Sequence, residues 1–163
     1  MLGAGTVGSQ IARLLVDNKA DLASRAGAEL ELVKVAVKNI NTKRVGIASS
    51  LLTDDAASVV NDPQIDLIIE VMGGISPAKE LILAALKNGK SVVTANKALL
   101  AKDGATLYEA AAKANVDLYY EAAVAGAIPI LRPLRESLVG DHVVRIMGIV
   151  NGTTNYILTK MDE

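Results

Sequence analysis

Apolar residues fall along this chain in two alternating rhythms. Ile11, Leu14, Leu15 and Leu22 share one face at a helical period, which predicts a helix from about Val7 toward Arg25 with Gly27 as its stop. Val33, Val35 and Val37 then form a β-branched strand pattern. Thr53, Asp54 and Asp55 open a short helix that Pro63 ends, and Asp66 to Met72 is a nearly all-apolar run of the buried-strand type, followed by Gly73 and Gly74. Ser76 and Pro77 supply cap and first-turn chemistry to a helix carrying Leu81, Ile82, Ala85 and Leu86, with Gly89 placed for a left-handed stop. Ser91 to Thr94 predicts a strand, Asn96 to Asn115 a helix broken near Asp103 and Gly104, and Val116 to Glu121 a further strand. Pro129 to Leu138 is expected to be helical up to Gly140. His142 to Val150 is expected to be a last strand leading into a final helix after Asn151. Such alternation predicts an α/β fold with a mostly parallel sheet and helices on both faces.

Composition narrows the function classes. The 163 residues are enough for one domain with a substantial core, and 51% hydrophobic against 21% charged residues predicts a folded chain. Seventeen basic and 18 acidic residues are mixed along it, for a formal charge of −1, so no basic face is offered to nucleic acid or an anionic membrane. There is no cysteine, which removes disulfides, thiolate metal sites and a cysteine nucleophile. No apolar run reaches the ~20 residues of a membrane helix, and no export signal is evident, so a soluble, cytoplasmic protein is expected. The aromatic residues are four tyrosines, so the core is built from aliphatic side chains and base-stacking platforms are lacking.

Gly3-Ala4-Gly5-Thr6-Val7-Gly8 fits the G-x-G-x-x-G pattern. Its glycines allow a tight turn, approach of backbone to a pyrophosphate and close helix packing, with the helix N-terminus facing the anion. The helix and valine-rich strand that follow match a Rossmann-like, doubly wound unit. Only Met1 and Leu2 precede the glycines, so the central first strand is expected to be missing, its neighbours' ladders open, and the chain trimmed at this end. At the end of the second strand stands Lys38, with Lys43 and Arg44 shortly after it. This positive field favours a 2′-phosphate, hence NADP over NAD. The alternative for Lys38 is a solvated strand end.

Three further segments, Ile69-Glu70-Val71-Met72-Gly73-Gly74, Val93-Thr94-Ala95-Asn96-Lys97-Ala98-Leu99-Leu100 and Asn151-Gly152-Thr153-Thr154-Asn155-Tyr156-Ile157-Leu158, complete the picture. Together with the glycine loop they resemble homoserine dehydrogenase, from end to end of the chain. The resemblance implies NAD(P)-dependent interconversion of L-homoserine and L-aspartate 4-semialdehyde, within threonine, methionine and isoleucine biosynthesis, by a homo-oligomeric parent protein. It implies residues 1–140 as the dinucleotide-binding domain and 141–163 as the start of a substrate and dimerisation region. Cofactor contacts are carried to Gly3, Gly5, Thr6, Val7, Gly8, Lys38, Gly73, Gly74, Thr94, Lys97, Gly152 and Thr153, with Lys97 also beside the reacting atoms. The alternative for Lys97 is a surface lysine at a helix start, and for Gly152 and Thr153 it is helix capping. The resemblance further implies a monovalent cation, sodium, at Glu121 and the main-chain carbonyls of Val124, Gly126 and Ile128, a hard-oxygen set. For Glu121 the alternative is a buried carboxylate paired with a base. The family's principal proton-transferring lysine and its substrate-gripping acids lie beyond the last motif, so the isolated chain is expected to be inactive.

Other readings fit less well. An aldehyde dehydrogenase needs a cysteine nucleophile. Tyr156 and Lys160 mimic a short-chain dehydrogenase pair, but Val143 stands where the upstream serine belongs. His142, the single histidine, has only Asp141 as an acidic neighbour and reads as structural. From a different class, a dinucleotide-binding redox sensor without turnover is the alternative.

Overall fold

The computed structural model describes residues 1–148 and 151–163. They form two compact units, Met1–Tyr120 and Glu121–Glu163. In the first unit, β1 (Val35–Ala36) pairs in parallel with β2 (Leu52–Thr53), while β3 (Leu67–Glu70), β4 (Ser91–Thr94) and β5 (Leu118–Tyr119) pair in parallel in that order. Leu2 joins the two ladders through parallel bridges to Ala36 and Glu70.

Where a full first strand was expected to be missing, Met1 to Gly3 form a single bridge position between the two ladders. The Leu2 N–H donates to the Ile69 carbonyl at 2.7 Å and the Val71 N–H to the Leu2 carbonyl at 2.9 Å. On the other side the Gly3 N–H reaches the Ala36 carbonyl and the Ala36 N–H the Met1 carbonyl, each at 2.9 Å. The bridge matches the two-residue length of β1, and on the β3 side it engages the Ile69 carbonyl and the Val71 N–H. The Met1 amino group donates to the Lys34 carbonyl at 2.6 Å, and burial lowers its pKa from 8.0 to about 6.

Strand alternation sends side chains to two layers. Ile68 packs with Val59, Val60, Ile82, Leu86, Val92, Leu99 and Leu107, so one face is covered by α3 (Ala56–Asn61), α4 (Ala78–Lys87) and α5 (Lys97–Ala114). Ile69 and Val71 point the other way, to a second core of Met1, Ala12, Val35, Val37 and Ile47 under α1 (Thr6–Asp17). A parallel sheet with helices on both faces is therefore present, as the alternation predicted.

Several local expectations change. The long first helix divides at Asn18 into α1 and α2 (Lys19–Ala26), and Gly27 caps the second with φ 72°. Leu14 is 45% exposed, because α1 approaches the sheet through the small residues Gly8 and Ala12 instead. The short strand β2 lies just ahead of the Asp55 N-cap of α3, where sequence suggested only a helix start. Helix α4 begins after Pro77 without a side-chain cap, and the Ser76 hydroxyl lies toward Glu80. Helix α5 is unbroken at Asp103 and Gly104: Asp103 accepts from Lys79 of α4 at 2.8 Å, and packing on α4 outweighs the ~1 kcal/mol helix penalty of a glycine. The strand expected from Val116 narrows to β5, and Glu121 begins a 3-10 turn.

In the second unit a helical stretch starts at Leu131 and continues as a π-type turn, Pro133–Ser137. Residues 142–148 adopt no strand, with Val143, Val144, Ile146 and Met147 exposed, since a strand exists only where a neighbour completes its ladder. The rest of that expected strand, Ile149 and Val150, lies outside the described residues. Helix α6 (Gly152–Asp162) closes the unit.

Candidate functional site

The glycine loop leaves Leu2 at the carboxyl edge of the sheet and enters α1. Gly3 has φ +98°, and a Cβ there would lie 2.9 Å from the Met72 backbone, so the turn is open only to glycine. A Cβ on Gly8 would meet the Gly3 carbonyl oxygen at 2.5 Å, which is how α1 packs so close to the loop that feeds it. Gly5 differs, with ordinary φ −79° and nothing within 4 Å of an added Cβ. Its missing side chain leaves open space at the N-terminus of α1, where no side chain caps the first turn. Thr6 and Val7, the first helical residues, are exposed beside it. Free N–H donors, open space and the positive end of a twelve-residue helix make an anion cradle.

Two more edge loops border β3 and β4. Gly73 and Gly74 follow β3 with φ 72° and 75°. Glu70, the last residue of β3, is 0% exposed, and its Oε1 accepts the N–H groups of Met72 at 2.9 Å and Gly73 at 3.2 Å. Its Oε2 accepts the Thr94 hydroxyl at 2.6 Å. Thr94 also accepts the Asn96 N–H, so its hydroxyl is engaged within the protein. Asn96 caps α5 by accepting the Leu99 N–H at 3.1 Å and donates to the Gly74 carbonyl at 2.6 Å. Lys97 opens α5 at the end of this network, exposed. Lys38 lies just past β1 and is exposed with Lys43, whereas Arg44 is turned onto the carbonyls of Asn39 and Thr42 at 3.0 and 2.7 Å. Arg44 thus shapes the loop, leaving the two lysines to carry its accessible charge.

In the second unit the Glu121 carboxylate accepts three N–H groups, from Ile130 at 2.7 Å and from Leu131 and Arg132 at 2.9 Å. It caps the following helical stretch, so the basic partner weighed for it is replaced by backbone. Between them the chain turns through Ala125 and Gly126 with φ 59° and 61°, and no backbone N–H of the described residues takes the carbonyls of Val124, Gly126 or Ile128. A carboxylate with about four lone-pair sites and three bonds keeps acceptor capacity, so the donor set fits a hard cation. Gly152 and Thr153 form the first turn of α6, whose cap is Asn151, accepting the Thr154 N–H at 2.8 Å.

Residues 3–121 match the family model described as the homoserine dehydrogenase NAD-binding domain, and 129–163 match the model of homoserine dehydrogenase itself. The chain belongs to the homoserine dehydrogenase family. It is 54% identical over its whole length to a homoserine dehydrogenase of Corynebacterium glutamicum, and 45% identical over 99% of its length to that of Bacillus subtilis, covering 37% of each. Among solved structures, a homoserine dehydrogenase from Thiobacillus denitrificans aligns with TM-score 0.83 at 44% identity, over 98% of this chain and 37% of that one. A hyperthermophilic archaeal homoserine dehydrogenase in complex with NADPH aligns with TM-score 0.77 at 25% identity, over 98% of this chain and 54% of that one. The chain therefore spans little more than a third of the curated relatives it matches. Within this homoserine dehydrogenase segment, sequence reasoning assigned no role to Glu70 or Asn96, although both lie in quoted motifs. The available signal was a carboxylate set inside the apolar run from Leu67 to Met72, where burial demands donors.

Proposed function

We propose that this chain is the dinucleotide-binding part of a homoserine dehydrogenase that interconverts L-homoserine and L-aspartate 4-semialdehyde with NADP. The observation that carries it is the loop from Gly3 to Gly8: two glycines closed against backbone, one open, at an uncapped helix start on the carboxyl edge of a parallel sheet. When bound, the cofactor would carry the hydride, given to the aldehyde carbon by its reduced form and taken from the alcohol carbon of homoserine by its oxidised form. The loop N–H groups hold its pyrophosphate, Lys38 holds the 2′-phosphate, and Gly73, Gly74 and Thr94 border the nicotinamide end. Lys97 orients the substrate oxygen and donates to it, as an exposed ammonium at the start of α5. In the second unit, Glu121 with the carbonyls of Val124, Gly126 and Ile128 holds sodium.

The test compares the 163-residue chain with the full-length polypeptide. Titration with NADPH, followed by nucleotide fluorescence, is expected to show binding by both. Homoserine with NADP is expected to produce NADPH absorbance only with the full-length protein, since a chain lacking most of the family's length forgoes both substrate positioning and ~10²- to 10⁴-fold of acid–base catalysis. A full-length protein that binds NADPH and never turns over homoserine would defeat the proposal in favour of a redox sensor.

A further inference from the structure

Glu70 stands out because nothing assigned so far to the site uses it, while everything assigned to the nicotinamide end depends on it. It is fully buried at the end of β3, on the same face of the sheet as Ile68, at a position where an apolar side chain would continue the core. The three hydrogen bonds it accepts come from two backbone N–H groups and one hydroxyl, none of them cationic. A buried carboxylate held this way is costly to desolvate, and what it returns is geometry. It grips Met72 and Gly73 on one loop and Thr94 on the next strand, and Thr94 and Asn96 extend the grip to the Gly74 carbonyl and the first turn of α5. The same Met72 backbone is the surface against which Gly3 packs. One side chain thus fixes the relative positions of the glycine loop, the Gly73–Gly74 turn and the segment that presents Lys97.

We infer that Glu70 is a positioning residue for hydride transfer, acting through Thr94 and the Met72–Gly73 backbone to hold the nicotinamide-side loops and Lys97 in reacting register. The inference rests on the homoserine dehydrogenase reading above. The arrangement requires two acceptor oxygens on one side chain. Glutamine has the same shape but only one acceptor oxygen: kept on the Met72 and Gly73 N–H groups, it leaves the NH2 facing the Thr94 hydroxyl, which loses the acceptor for its own proton; turned round, it sets NH2 against those two N–H groups. A loop displacement of about 1 Å at a reacting centre is worth roughly 10²-fold in rate.

The experiment uses the full-length enzyme with Glu70→Gln, Thr94→Val and Thr94→Ser, each assayed for kcat, KM and thermal unfolding, with homoserine deuterated at its reacting carbon giving the isotope effect on kcat. Glu70→Gln is expected to lower kcat by about 10²-fold, with the isotope effect rising as hydride transfer becomes limiting. Thr94→Val is expected to reproduce this, Thr94→Ser to restore most of it, and the Glu70→Gln/Thr94→Val double variant to fall no further than either single one. If Glu70→Gln does not fold, the two Thr94 variants carry the test. Variants with a lowered unfolding temperature but wild-type kcat and isotope effect would make the network structural only and overturn the inference. A full-length wild type that never oxidises homoserine would instead overturn the functional reading, and this inference with it.

Discussion

The glycines of the cofactor loop are alike in sequence and unlike in consequence. Gly8 is glycine because α1 lies against Gly3, so Gly8→Ala forces backbone to move and is expected to destabilise the chain by about 1–3 kcal/mol. Gly5 has ordinary dihedrals and open surroundings, so Gly5→Ala is expected to leave thermal unfolding unchanged while weakening NADPH binding, its methyl standing where the pyrophosphate approaches. Equal loss of stability in both variants would remove Gly5 from the proposed site. Lys38 offers a second test at this scale. A charge-assisted contact of about 1.5–3 kcal/mol means that Lys38→Ala should weaken NADPH by roughly ten- to a hundredfold and leave NADH nearly unchanged. Equal weakening of the two, measured by fluorescence titration, would return Lys38 to the status of a solvated strand end.

At the scale of elements, predicted positions held where local chemistry and packing agreed. β4 falls on Ser91–Thr94, and α3 starts at its Asp55 cap, which accepts the Ser58 N–H at 2.9 Å. They failed where a neighbour decided. Gly104 reads as a break, yet the Asp103 bond to Lys79 and packing on α4 carry α5 through it. The apolar run from Val143 reads as a strand, yet residues 142–148 have no ladder partner among the described residues. The turn from Glu121 to Arg132 is an element whose two roles separate experimentally. Glu121→Gln weakens the cap, lowering thermal stability in sodium and choline chloride alike, by about 1 kcal/mol. It is also expected to abolish any extra stability seen in sodium at equal ionic strength. A sodium increment that survives the substitution would take Glu121 out of the cation site.

For the molecule as a whole, the sheet order β2–β1–Leu2–β3–β4–β5 brings every proposed cofactor residue of the first unit to one edge, although they are spread from Gly3 to Lys97 in the chain. No helix among the described residues is long and apolar enough to cross a membrane. The amino-acid sequence by itself determined the alternation of elements, the glycine loop and the motifs that mark the family. These depend on the period of apolar residues and on residue types with singular backbone or charge properties, which act within a few positions. Only tertiary structure decided that Leu2 bridges β1 and β3, that Gly104 stays helical, and that Glu70, Thr94 and Asn96 form one buried network. Those outcomes turn on which donor meets which acceptor across strands 24 residues apart, as for Thr94 and Glu70. A buried polar group is satisfied by partners that local sequence does not name.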